Sequence, residues 1–228
     1  MAESKDNLVS HLSIKDENRN QVWDERFFKL LSETSLKILS QDPQQGPDGW
    51  PYIMTQTLAP AEVNLESDEE SIDTAQKIFY WLANRGIGMV VNPNRLPYPD
   101  FVLSYGMIWS FRETGFFMKF QNEINQSKKL QIDENSKLVS GEPTQEFLPN
   151  YVRKVLKDFF RDQSVFDPKV LMISTDQINY DLCFSLESLG NPKVEEHDGV
   201  LEALAWFLPP HYSLALISEK NLPAFISI

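Results

Sequence analysis

FVLSYGMIWSFRETGFFMKF, residues Phe101 to Phe120, sets the architecture expected of the whole chain. Its odd positions are Phe101, Leu103, Tyr105, Met107, Trp109 and Phe111, and the even positions between them include Ser104, Gly106, Ser110 and Arg112. Alternation with a period of two gives the two faces of a strand different characters. Glu113-Thr114-Gly115 then interrupts the run, and Phe116, Phe117, Met118 and Phe120 follow. Gly115 can take the left-handed conformation that a three-residue hairpin loop needs. The stretch is therefore expected to form a long antiparallel hairpin with an aromatic face that helices must cover.

On either side the pattern supplies those helices. Trp23, Phe27, Leu30, Leu31 and Ile38 recur at helical spacing and predict a helix over 21–40, stopping before Asp42-Pro43. Ala75, Ile78, Phe79 and Leu82 predict a second helix ending near Asn84, with Ile72 also inward, Gly86 as its stop and Ser67/Glu70 as a capping box. Val152, Val155, Leu156 and Phe159 predict a third over 149–161, and 199–207 a short fourth before Pro209-Pro210. Strands are expected at 50–57, 87–92, 169–174, 178–187, 212–218 and 224–228, with a small edge hairpin over 129–140. Asn92 to Pro99 holds three prolines in seven residues and can only be an extended loop. The acidic run from Glu62 to Asp73 reads as a solvated loop.

The fold class expected is α+β: a largely antiparallel sheet with helices on one face. Residues 1–19 read as a polar tail and 20–228 as a single domain, with a candidate subdivision near 121–145. Helix 71–84, strand 87–92 and strand 101–111 echo helix 149–161, strand 169–174 and strand 178–187. Two similar halves would explain the echo, although ordinary α+β grammar also does.

Composition narrows the function. Net charge is -12, with 33 acidic against 21 basic residues, which disfavours a phosphate backbone as partner. Lys128-Lys129 and Arg153-Lys154-Lys157 are too sparse to reverse that. No apolar run approaches the length of a membrane span and the first residues lack a secretory pattern, so a soluble cytoplasmic protein is expected. The one cysteine, Cys183, excludes an intrachain disulfide and reads as a buried reduced thiol.

Chemistry is hard to find. Nine glycines form no phosphate loop or nucleophile elbow, and Gly86-Ile87-Gly88 precedes a strand rather than a helix. The three histidines, His11, His197 and His211, form no helical pair, and Glu195-Glu196-His197-Asp198 reads as a turn. No catalytic residue, metal ligand or cofactor is therefore assigned.

A binding surface is the better expectation. Trp50 and Tyr52 lie at a Gly-Trp-Pro-Tyr turn, Tyr98 beside the prolines, and Trp109 and Arg112 near the supposed hairpin tip. Large rings and arginines are enriched where partners are gripped. Arg95 and Arg112 could receive a carboxylate from a partner or from the acidic loop. The expected function is a chaperone-, adaptor- or inhibitor-like module that holds another polypeptide, one with a basic surface fitting best, as a monomer or homodimer. The alternative is a small hydrolase-type enzyme using His211 and a carboxylate pair such as Asp181 and Glu187.

Overall fold

A computed structural model describes residues 7–58, 71–119 and 138–228. The chain divides into two units, Met1–Phe117 and Met118–Ile228, each with its own mixed, mostly antiparallel sheet. The fold class is α+β, as the patterning predicts. Among the described residues no helix is long and apolar enough to cross a membrane.

The first unit runs α1 (Leu8–Leu12), α2 (Gln21–Ser32), β1 (Ser35–Ile38), β2 (Gln44–Gln45), β3 (Pro51–Thr57), β4 (Ile72–Thr74), α3 (Ala75–Ala83), β5 (Gly88–Val91), β6 (Phe101–Leu103) and α4 (Tyr105–Thr114). Strand order is β4-β1-β3-β5-β6, with β2 also on β3. Every pair is antiparallel except β3–β5, whose connection contains α3.

The expected hairpin is the main correction. Phe101–Leu103 is a strand, but Tyr105–Thr114 is a helix. Ser104 is its cap: the hydroxyl accepts the Met107 amide at 3.3 Å. Gly115 is no hairpin residue; at φ 77° it closes the helix, its amide donating to the Phe111 carbonyl at 2.8 Å. Alternation misleads because Tyr105 through Ser110 are all buried. A helix sunk on every side shows no polar stripe against which a period could be read. The covering helices exist nonetheless. Phe101 stacks on Phe27 at 4.6 Å, and Phe117 meets Phe28, Phe79 and Phe111 at 4.9, 5.1 and 4.5 Å.

Two smaller corrections follow. The helix expected over 21–40 ends at Ser32, and Ser35–Ile38 is strand β1 instead, with Leu36 fully buried. The segment expected as a polar tail carries a short helix, α1, that buries Leu8, His11 and Leu12, while residues 13–18 stay exposed. His11 stacks on Trp23 at 4.9 Å, donates from Nε2 to the Trp23 carbonyl at 2.9 Å, and receives the indole N–H at its own carbonyl. Helix α3 buries Ala75, Ile78, Phe79 and Leu82 as expected, but Thr74 caps it; Ser67 and Glu70 lie outside the described residues. Gly86 takes φ 68° after it.

Strand register divides the first sheet into two faces. Ile53 and Thr55 on β3, Met89 and Val91 on β5, and Leu103 on β6 share the core face and are fully buried. Tyr52, Met54, Val90 and Val102 share the other. Val102 is 43% exposed, so this second face carries apolar side chains to the surface.

The second unit runs β7 (Val139–Gly141), α5 (Asn150–Asp162), β8 (Lys169–Ser174), β9 (Asp181–Ser185), α6 (His197–Phe207), β10 (Ser213–Ile217) and β11 (Ile226–Ser227). Strand order is β10-β9-β8-β11, with β7 also on β8, and only β9–β10 is parallel. The predicted strand over 178–187 shortens to β9, because Ile178 and Tyr180 are exposed. Of the proposed hairpin over 129–140, only the end falls among the described residues, as β7. Both sheet faces are covered. Phe184 faces Phe160 of α5, while Leu171, Ile173 and Cys183 pack with Phe225. Burial on both sides explains why β8 is a continuous apolar run rather than an alternation.

A five-element run in each unit has the same order once β2 and β4 are set aside, though not the order the sequence echo suggests. That echo set 71–111 against 149–187. The topology instead matches α2-β1-β3-α3-β5 with α5-β8-β9-α6-β10. In each, a helix precedes an antiparallel pair, and a second helix leads to a third strand parallel to the second.

Candidate functional site

The loop from Asn92 to Asp100 is held at its base by a network of hydrogen bonds and ion pairs. Asn92 has φ 52°, a left-handed conformation that asparagine tolerates better than most residues. Its amide oxygen accepts the Thr57 N–H at 2.9 Å, and its Nδ2 donates to Asp100 Oδ2 at 2.8 Å and Thr57 Oγ1 at 3.0 Å. One side chain thus ties both ends of the loop to β3.

Asp100 completes the base. Its Oδ1 lies 3.1 Å from Arg19 Nη2 and 3.1 Å from Arg95 Nε. The same arginines meet again on Asp16 Oδ1, Arg95 Nη2 at 2.7 Å and Arg19 Nε at 3.2 Å. Two acids and two arginines make a closed ring of ion pairs. Arg19 also donates to the Leu12 carbonyl at 2.8 Å and lies 4.4 Å above the Trp23 ring. The Asp100 side chain is only 7% exposed, so its charge depends on these partners.

Beyond this base the loop presents apolar surface. Leu96 is 86% and Tyr98 72% exposed. Beside it lies a groove of about 440 Å³ on the open face of the sheet, with Tyr52, Met54, Val90 and Val102 as its floor. Pro93 and Pro99 form one wall, and Gly46, Pro47 and Asp48 the other. Tyr52 is fixed there: its hydroxyl donates to Asp48 Oδ2 at 2.5 Å, and its ring fills the space a side chain at Gly46 or Gly88 would need. A second hollow of about 340 Å³, with Gln56, Thr57, Asn92 and Arg95 in its lining, is polar and shares Pro93.

The residues expected to bind a partner are thus redistributed. Tyr52 belongs to the groove floor and Tyr98 to its flanking loop. Trp50 is half-buried beside the turn, its carbonyl accepting the Gly46 amide at 2.8 Å. Trp109 is 1% exposed and belongs to the core, so it offers nothing to a partner. Arg112 donates to Asn84 Oδ1 at 2.9 Å, lies 3.5 Å from Glu113 and covers the Tyr80 ring. Arg95 does receive carboxylates, those of Asp16 and Asp100; the acidic loop from Glu62 to Glu70 lies outside the described residues. Arg19, Asn92 and Asp100 escaped sequence reasoning. Their only signal is polar residues bracketing a proline run, and Arg19 is some 80 positions away from the loop it holds.

Each candidate reactive side chain is bonded to a partner or at least partly withdrawn from solvent. Asp100 is occupied by two guanidiniums and the Asn92 amide. In the second unit, Asp181 accepts the Ser213 hydroxyl, while Glu187 accepts the Ser218 hydroxyl at 2.5 Å and the Glu219 amide at 2.9 Å, which hold its pKa below the usual carboxylate range. The five-residue strand Asp181–Ser185 alone spans roughly 13 Å over its four steps, too far for the two acids to flank one bond. Burial, with Lys119 adding to it, pushes His211 down to about 4, and its Nδ1 is buried without a partner. Burial also pushes the Cys183 thiol up to about 12, with Asp181 contributing, which leaves it inert as a nucleophile. Among the described residues no group of three potential ligands could hold a metal ion. No protein-family model, curated protein or solved structure matches this chain.

Proposed function

We propose that this protein is an interaction module that grips another polypeptide in the groove between the 46–48 turn and the 92–100 loop. One observation carries the reading: two proline-bearing turns, far apart in sequence, converge over an apolar strip of open sheet. The ion-paired base of the loop supports it, since a site ordered in advance loses less entropy on binding. The ligand that fits is an extended segment with one apolar anchor for the floor and basic residues beside it. The net charge of -12 attracts such a flank over a distance.

Selection from a displayed random-peptide library tests this. Enriched peptides should pair an apolar anchor with Lys or Arg, and bind more weakly as salt rises. Val102→Asp on the floor and Tyr98→Ser on the loop should each weaken them about tenfold or more, a loss of about 1.4 kcal/mol. Circular dichroism checks that the variants stay folded. Peptides that bind both variants as well as the parent, or a library that yields none, would overturn the reading.

A further inference from the structure

The matching five-element runs of the two units differ at one sheet edge. In the first unit the third strand of the pattern, β5, carries β6 antiparallel on its outer side, as Met89↔Leu103, Val90↔Val102 and Val91↔Phe101. In the second unit the matching strand, β10, pairs with β9 on one side and, among the described residues, with no strand on the other. Its sequence, Ser213-Leu214-Ala215-Leu216-Ile217, contains no charge and no proline. All four apolar residues stay partly exposed. Natural edge strands are usually blunted by lysine, proline, a bulge or a covering element, and a bare apolar edge is a template for pairing.

We propose that β10 is a dimerisation edge, and that its occupant is the β10 strand of a second copy of this chain, paired antiparallel about a two-fold axis at Ala215. The strand is suited to itself. In that register Leu214 faces Leu216 on both sides of the axis, and the smallest side chain, Ala215, faces its own copy. Ser213 faces Ile217. Beyond the strand His211 falls opposite Glu219 and Pro210 opposite Lys220, so no like charges are juxtaposed. The antiparallel sense is the one in which β6 closes β5. Each copy uses the same edge, related to its mate by the two-fold, so the contact closes at two. The ribbon is shorter than a standard interface, about 800 Å² per partner, would supply, and each copy carries -12 charge. The dimer is therefore concentration-dependent and strengthens as salt screens that repulsion, opposite in sign to the salt response of the peptide groove.

Sedimentation velocity on the full chain, from about 1 to about 300 µM at low and high salt, should show a monomer–dimer equilibrium that shifts toward dimer with salt. Leu216→Lys, verified as folded by circular dichroism, should leave a monomer at every concentration. Register is tested independently. Oxidised Ala215→Cys should cross-link, because directly opposed residues lie about 4.5–5.5 Å apart, within disulfide reach. Ser213→Cys, facing Ile217, should not; the native Cys183 is buried. A parent protein that stays monomeric throughout overturns the proposal. So does a dimer indifferent to Leu216→Lys, or one that Ala215→Cys fails to cross-link.

Discussion

Replacing Asp100 by alanine should unlatch the loop that flanks the groove. The change removes two contacts to guanidiniums at 3.1 Å and the Asn92 bond at 2.8 Å. Hydrogen bonds to charged groups contribute about 1.5–3 kcal/mol each, and breaking a buried ion pair costs about 3–5 kcal/mol. Both figures need reducing here. Arg95 is 28% exposed and its head can turn to water, while Arg19 keeps Asp16 and the Leu12 carbonyl. The expected loss is about 3 kcal/mol from the first unit. Urea denaturation followed by tryptophan fluorescence reads it, because four of the five tryptophans, Trp23, Trp50, Trp81 and Trp109, lie in that unit. Double-mutant cycles then apportion the ring. Coupling of Asp100 to Arg19, whose side chain is 12% exposed, should exceed its coupling to Arg95. Asp100→Asn, which keeps the shape and loses the charge, should fall between parent and alanine variant. A loss below about 1 kcal/mol, or equal coupling to both arginines, would refute the view that this ring orders the loop.

Two further outcomes are expected. Gly88→Ala should cost several times more than Gly115→Ala: a Cβ at Gly88 would come within 2.6 Å of the Tyr52 ring and 2.8 Å of the Leu103 carbonyl, whereas Gly115 has open space and opposes only through its φ of 77°, worth roughly 1–2 kcal/mol; thermal melts of the two variants compare them. His211 should make stability sensitive to mild acid, because its folded value of about 4 lies below the ordinary 6.5. Between those values the unfolded chain binds the extra proton, so this contribution is complete above about 6.5 and declines as pH falls toward 4; His211→Asn should lose less stability than the parent between pH 7 and 4.5 in paired denaturation curves.

How much of this was readable beforehand depends on whether an element had one wet face. Helix α5 and strand β8 were placed within a residue or so, the helix because a stripe repeats along it, the strand because a short unbroken apolar run between turns has few other uses. Helix α4 was misread as half a hairpin because the core surrounds it and erases the polar side that reveals a period. Strand β1 is absorbed into the preceding helix in the sequence reading because Ile38 also continues its spacing. The groove was half legible: prolines, glycines and rings marked the 46–52 turn and the 93–99 loop as unusual, but not that they meet.

The sequence by itself determined the α+β class, the apolar strands β5, β8 and β10, the irregular proline loop and the strongly acidic character, since each follows from local composition or short-range periodicity. Only the tertiary structure decided the rest. It put Trp109 in the core and Tyr98 in solvent, joined Asp16, Arg19, Arg95 and Asp100 into one ring, and gave β5 an outer strand while leaving β10 without one among the described residues. Those outcomes depend on which distant segments pair in space, and residue spacing along a chain carries no record of that.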